Sequence, residues 1–390
     1  MKKKLTLAAL AFASTAVLAA CGAAPSGSSS STGTEVGDTI KVGLNFELSG
    51  AVAAYGQVQK NAAELAVDEI NKAGGVDGKE LEIVSKDNKS ENNEAASVAS
   101  SLVTQNKVNV MIGPATSGAT AAATPAATKA AVPLVTPSGT QDSLTYADGK
   151  VKEYVFRTTF QDSFQGQVLA QYATENLSAK KVVLYYDNSS DYAKGIANEF
   201  KNEYKGEIVV EETFQAGDKD FQAALTKIKD KEFDAIIMPG YYTETGLITK
   251  QARDMGIDKP ILGPDGFSDE KFIENATAAG TNNVYYVSGY STKVDLSDKA
   301  AKFVESYKAK YGEEPNMFAA LAYDSVYMVA EAAENAENSS EIAKNFAKIK
   351  DFDGVTGKTT IDEKHNPVKS AIMIGLKDGK EDSATVVEVK

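Results

Sequence analysis

Short apolar runs alternate with longer segments of helical period along most of the chain. Runs of the buried-strand kind cover residues 40–46, 81–85, 108–112, 132–135, 154–158, 181–186, 208–213 and 234–238. Between them lie segments whose apolar residues recur every three or four positions, at 57–73, 91–105, 164–176, 192–204 and 221–229. In the first of these, Ala62, Leu65, Ala66, Glu69 and Ile70 set the faces, and Gly74-Gly75 stops the helix. This alternation predicts an α/β architecture with parallel sheets and helices on both faces. No segment repeats at a fixed period, so a solenoid is not expected.

The polar chemistry collects at the strand ends. Residues 108–140 hold two apolar runs, one ending in Gly113-Pro114-Ala115-Thr116-Ser117-Gly118 and the other in Thr136-Pro137-Ser138-Gly139-Thr140. In an open parallel sheet such turns lie beyond the carboxyl ends of the strands, where ligands bind. The turn at Ser117 also opens an alanine-rich helix, whose free N–H groups and positive dipole end attract an anion. Ser117 and Thr140 are therefore expected to make a corner for a carboxylate. Helix capping and turn formation would use the same residue types. Further turns at Ser49–Gly56, 187–192, Gly240-Tyr241-Tyr242 and Gly263-Pro264-Asp265-Gly266 add tyrosine rings and one carboxylate. A tyrosine offers a flat apolar face and a polar tip, which suits a small-ligand pocket. Asp265 either caps its turn or faces a cation. Set across a cleft from Ser117 and Thr140, it would complete a pocket for a zwitterion.

The amino terminus changes the picture. Lys2, Lys3 and Lys4 precede an apolar stretch at 5–19 that is too short to span a bilayer. Leu18-Ala19-Ala20-Cys21 resembles a bacterial lipobox, so residues 1–20 read as a signal peptide and Cys21 as the lipidated residue. Cys21 is the only cysteine, which excludes a disulfide within the chain. Residues 21–38 form the lipidated end of a Gly/Ser/Thr-rich tether, with a mean reach on the order of 20–25 Å. The expected location is the extracellular face of the bacterial cytoplasmic membrane, with a lipid anchor. The remaining ~350 residues exceed one ordinary domain, so two lobes are expected. The formal charge of −13 becomes −16 once the three lysines leave with the signal peptide. An acidic chain without a basic patch argues against nucleic acid as a partner.

Catalytic motifs are weak. His365, the only histidine, lies in a polar stretch and reads as a solvated turn residue. The chain has no Gly-x-Ser-x-Gly elbow, no zinc spacing, no calcium loop and no P-loop lysine. No metal, no cofactor and no enzymatic activity are expected, although a pair of acids working as acid and base stays open.

The pieces GPATSGAT, TPSGT, YDNSSDYAKG, PGYYTETG, RDMGIDKPILGPDG and YDSVYMVAEA, together with the lipobox, resemble the leucine/isoleucine/valine-binding proteins. Those are the substrate-binding components of branched-chain amino acid ABC importers. The resemblance runs in order from about Thr39 to the C-terminus. It implies the type I periplasmic-binding-protein fold, with two Rossmann-like lobes joined by a three-strand hinge. Lobe one would comprise 39–158 plus 289–367 and lobe two 159–288 plus 368–390, with crossings near Thr158, Ser288 and Pro367. It further implies that Ser117 and Thr140, with backbone groups around Ser138 and Gly139, hold the α-carboxylate of an aliphatic L-amino acid. Asp265 would meet the ammonium, Tyr192 and Tyr241 would close over the ligand, and Tyr55 would line the side-chain slot. Phe164 and Gln165, after the first crossing, are further candidates. Asp265 stands where the best-known members carry glutamate, and Thr116 where some carry a disulfide cysteine. The implied partners are ABC permease subunits, and a monomer is expected. A ligand sensor of the same fold, for another small amino acid or a short amide, is the alternative.

Overall fold

The computed structural model describes residues 33–294 and 297–387. The expected signal peptide (1–20), the lipidation site Cys21 and most of the expected tether (21–38) lie outside the described residues. The last part of that tether is not free. Thr34 N–H donates to Ser339 Oγ at 2.7 Å, Val36 N–H donates to the Glu337 carbonyl at 2.8 Å, and Asn109 Nδ2 donates to the Glu35 carbonyl at 2.9 Å. Residues 34–36 are thus bonded to the folded part, through main-chain partners that composition does not reveal.

Two sheets carry the fold. The first is parallel throughout, in the order Glu80–Asp87, Thr39–Phe46, Val110–Ile112, Leu134–Thr136, Val155–Arg157. The second runs Lys380–Val387, Ala371–Lys377, Val284–Ser288, Ile261–Gly263, Ala235–Ile237, Lys181–Asp187, Glu207–Phe214. Its last five strands are parallel, and the first two form an antiparallel hairpin at one edge. The parallel sheets that the alternation predicts are thus present, and the second carries an antiparallel hairpin at that edge. Lys377 to Lys380 closes too tight a turn for the crossover a parallel neighbour would need. The central strands are buried on both faces, which explains their unbroken runs of Val, Ile and Leu.

The helices cover the sheets as the periodicity predicts. Two end differently from expectation: Asn92–Ser101 and Asp162–Gln171 each finish in one wide π-turn, Leu102–Asn106 and Tyr172–Asn176. Helix Met317–Ala333 is apolar nearly all round and packs on helix Ala53–Lys72 beside the first sheet. The chain leaves the first sheet after Arg157, leaves the second after Ser288, and returns to the second at Ala371. Gly113 ends its strand at φ 93°, and a Cβ there would lie 2.5 Å from the Asn45 carbonyl oxygen. Only glycine lets this turn pass so close to the first strand.

His365 is not solvated. It is buried, its ring stacks on Phe156 with centroids 4.1 Å apart, and its Nδ1 lies 3.0 Å from the Val155 carbonyl oxygen. Burial pushes its pKa down, which favours the neutral ring. The polar stretch around it misled because the turn at Asp362 folds this one side chain inward.

Candidate functional site

The strand-end turns of the two sheets face each other across a space of about 240 Å3, counting the part open to solvent. Ala115, Thr116, Ser117, Ser138 and Thr140 line the side of the first sheet. Tyr192, Tyr241, Asp265 and Gly266 line the opposite side, and Tyr55 and Phe318 complete the wall.

At the first side, Glu47 from the end of the first strand organises the turn. Its carboxylate accepts from Ala115 N–H at 2.9 Å, Thr116 N–H at 3.1 Å and the Thr116 hydroxyl at 2.8 Å. Burial pushes the Glu47 pKa up, and these bonds oppose that rise. Thr116 occupies the cap position of helix Ser117–Ala130, but its hydroxyl is turned to Glu47, so no side chain caps the helix at the cavity. Ser117 is not a cap either. Its Oγ accepts from Thr140 N–H and Gln141 N–H, each at 3.1 Å. With both lone pairs taken, the hydroxyl can only donate. The buried Thr140 hydroxyl lies beside the Asp162 carboxyl without a bond of normal geometry to it. Two hydroxyls and an uncapped helix start therefore sit at this end, which suits a carboxylate.

Ser138 and Gly139 serve the frame more than the cavity. Ser138 Oγ donates to the Ala115 carbonyl at 2.8 Å and accepts from Gln59 Nε2 at 2.5 Å. Gly139 N–H donates to Thr136 Oγ1 at 2.7 Å, and its carbonyl accepts from Arg157. Gly139 is thus off the cavity wall, with its backbone groups already spent, against the expectation of a ligand contact.

At the opposite side, Asp265 is buried and does not cap its own turn. Tyr192 Oη donates to its carboxylate at 2.5 Å, and Asp265 N–H donates to Gln165 Oε1 at 2.9 Å. Burial pushes the Asp265 pKa up to about 6 despite the bond from Tyr192. The Gln165 side chain and the Gly266 amide join Tyr192 in opposing that rise, and a buried acid held in this way suits a cationic group. Tyr192 and Tyr241 stack with centroids 5.0 Å apart and planes 4° from parallel. Phe318 meets Tyr55 at 4.4 Å. Phe164 misses the wall and rests near Phe160 at 5.9 Å, whereas its neighbour Gln165 faces Asp265. Adjacent helical residues point about 100° apart, so only one of the two can face inward.

Phe318 and Glu47 were not singled out from the sequence. Glu47 follows the last residue of the first strand, two residues before the turn that starts at Ser49, and a carboxylate closing an apolar run was the signal available. Phe318 carries no such signal, because it arrives from a helix far along the chain. Among the described residues no group of His, Cys, Asp and Glu is placed to hold a metal ion.

The two sides also touch directly. Tyr55 Oη donates to the Gly266 carbonyl at 2.5 Å and accepts from Tyr242 N–H at 3.3 Å. In return Tyr242 Oη donates to the Ala51 carbonyl at 3.1 Å. Gly266 is needed by its own side, since a Cβ there would lie 2.6 Å from the Gly240 carbonyl oxygen, whereas Tyr55 Oη would be 3.4 Å away. Tyr55→Phe leaves two backbone groups unpaired in the closed form, at about 1 kcal/mol each. It should weaken ligand binding ~10- to 30-fold, mostly through faster dissociation, as read by stopped-flow.

A family model described as periplasmic binding protein matches residues 39–381. The Leu/Ile/Val-binding protein BraC3 of Rhizobium johnstonii is 33% identical over 327 residues, covering 83% of this chain and 88% of the relative. The leucine-, isoleucine-, valine-, threonine-, and alanine-binding protein of Pseudomonas aeruginosa is 30% identical, covering 84% and 87%. Among solved structures, the branched-chain amino acid transporter substrate binding protein LivJ from Streptococcus pneumoniae, in complex with isoleucine, is 61% identical. It superposes with a TM-score of 0.87 over 90% of this chain and 99% of that one. Coverage of nearly the whole fold by these relatives, together with two lobes closing over one cavity, means that the chain belongs to the Leu/Ile/Val-binding protein family of the periplasmic binding proteins, a family of substrate binders and not of enzymes.

Proposed function

We propose that the protein is the lipid-anchored, extracellular substrate-binding component of an ABC importer, and that it captures branched-chain amino acids and presents them to the permease. One observation carries the ligand class. The cavity sets donors that suit a carboxylate (Ser117, Thr140) against a buried acid that suits an ammonium (Asp265), with tyrosine and phenylalanine between them. The isoleucine held by the 61% identical streptococcal protein supports the same class. Cys21 supplies the anchor in this reading, which fits a protein handing its cargo to a membrane partner.

Periplasmic binding proteins are a standard case of hinge closure around ligand. Closure is driven only by a ligand that prefers the closed state. An amino acid does so because its carboxylate meets one lobe and its ammonium the other. The aliphatic side chain then settles among Tyr55, Tyr241 and Phe318. A slot of this kind separates Leu, Ile and Val weakly, because one methylene is worth ~1–3 kcal/mol. It rejects charged side chains, since an unpaired charge would be buried there.

Calorimetric titration against all twenty amino acids tests the reading. Leu, Ile and Val should bind within ~200-fold of one another, and Asp, Glu, Lys and Arg should show no heat of binding. Preference for a charged or amine-free ligand would overturn it.

A further inference from the structure

Among the described residues the largest side chain with no exposure is Arg157, and it is not part of the cavity lining. Register explains its place. Arg157 pairs with Thr136 across the last two strands of the first sheet, so it lies beside the turn 136–140 that carries Thr140. From there its guanidinium reaches along the next stretch of chain. Nη1 donates to the Gly139 carbonyl at 3.3 Å and to the Thr140 carbonyl at 2.6 Å. Nη2 donates to the Gln141 carbonyl at 2.8 Å, the Asp142 carbonyl at 3.2 Å and the Thr145 hydroxyl at 3.4 Å. All of these acceptors are neutral. Burial of the charge is costly, and the nearby Asp162, Asp142 and Asp362 favour it without bonding to it; the bonds themselves go to four successive carbonyls and one hydroxyl.

A carbonyl turned one way turns the N–H of the same peptide plane the other way. With the carbonyls of 139–142 drawn towards Arg157, the amides of Thr140 and Gln141 face Ser117 Oγ. We propose that Arg157 is a positioning residue for carboxylate recognition, fixing the backbone of 139–142 so that two amides occupy the Ser117 lone pairs and aim its proton at the ligand. The carboxylate end is then preformed, and the ligand does not have to order it. The inference rests on the reading of the cavity as an amino acid site.

A double-mutant cycle with leucine as ligand tests it, using the purified protein and the variants Arg157→Lys, Ser117→Ala and both together. Lysine keeps the charge but cannot span four carbonyls. Each single variant should bind leucine at least ~10-fold more weakly. The double variant should be weaker than Ser117→Ala alone by clearly less than the loss Arg157→Lys causes by itself, because the arginine acts in part through that hydroxyl. Losses that multiply would overturn the inference and leave the amino acid reading standing. Absence of leucine binding by the unsubstituted protein would overturn the reading and the inference together. Should Arg157→Lys fail to fold, hydrogen exchange on the unsubstituted, ligand-free protein decides. The Thr140 and Gln141 amides should exchange at least ~100-fold more slowly than in a free peptide. Exchange at the free-peptide rate would overturn the proposal.

Discussion

Asp265→Asn should bind leucine ~30- to 5,000-fold more weakly than the unsubstituted protein while unfolding at a higher temperature. The two effects have one cause. Asp265 is buried, and its carboxylate has a tyrosine hydroxyl for a neighbour but no bonded cation. Losing a charged partner for the ligand ammonium costs ~2–5 kcal/mol of binding. The empty protein, meanwhile, holds a desolvated charge that asparagine does not carry. Burial raises this pKa from 3.8 to about 6, which corresponds to roughly 3 kcal/mol at neutral pH as an upper bound. In the proposed reading the ligand ammonium would relieve that cost on binding, so part of the affinity would be prepared in advance by an unfavourable group.

The pH dependence follows with a definite sign. A carboxyl whose folded pKa is raised binds its proton more tightly in the folded state. Its contribution to stability is therefore fully present below about pH 4 and is lost as pH rises through about 6. The stability gap between Asp265→Asn and the unsubstituted protein should be near zero at pH 4 and open by pH 7. The comparison must be a difference between the two proteins, because burial also pushes Asp269 up to about 6. Leucine affinity runs the other way. Below pH 6 a proton competes with the ammonium for Asp265, and affinity should fall up to tenfold per pH unit. Thermal scans and titrations over pH 4–8 check both. A variant that keeps its affinity would remove Asp265 from the site.

Much of this site was legible because strand-end turns in an α/β sheet converge. Ser117, Thr140 and Asp265 lie in three separate turns, yet each follows an apolar run, so topology alone brings them to one cleft. What the sequence could not reveal is which partner each polar group takes. Ser117 looks like a cap, but its Oγ is filled by two amides from another strand's turn, a pairing set by register. Gly139 and Phe164 looked like contacts; Gly139 lies one residue from Thr140, which lines the cavity, and Phe164 one residue from Gln165, which holds the Asp265 backbone. Arg157 reads as the polar end of a strand, and its burial depends on carbonyls that only the folded turn collects. Phe318 reaches the wall after the chain has twice passed between the sheets, a long-range contact with no local sign.

Asp324→Ala should destabilise the fold by ~3–5 kcal/mol while leaving leucine affinity at 25 °C within about threefold. Asp324 lies on helix Met317–Ala333 and is buried. One carboxylate oxygen accepts from Val355 N–H at 2.7 Å, and the other accepts from Thr356 N–H at 2.9 Å and the Thr356 hydroxyl at 2.5 Å. Lys369 donates to that same hydroxyl, and its charge faces Asp324. The fit is close, since a Cβ on Gly354 would lie 2.5 Å from Asp324 Oδ2. Alanine would strand two buried amides and remove the charge opposite Lys369, the circumstance in which breaking a buried pair is most damaging. The turn that Asp324 holds precedes the last return of the chain to the second sheet, so it ties helix Met317–Ala333 to that passage. None of these groups lines the cavity, and the affinity of the surviving folded protein should be spared. Denaturant unfolding with an unchanged slope and a lower midpoint is the expected signature. A large loss of affinity without a loss of stability would mean that this passage takes part in ligand capture itself.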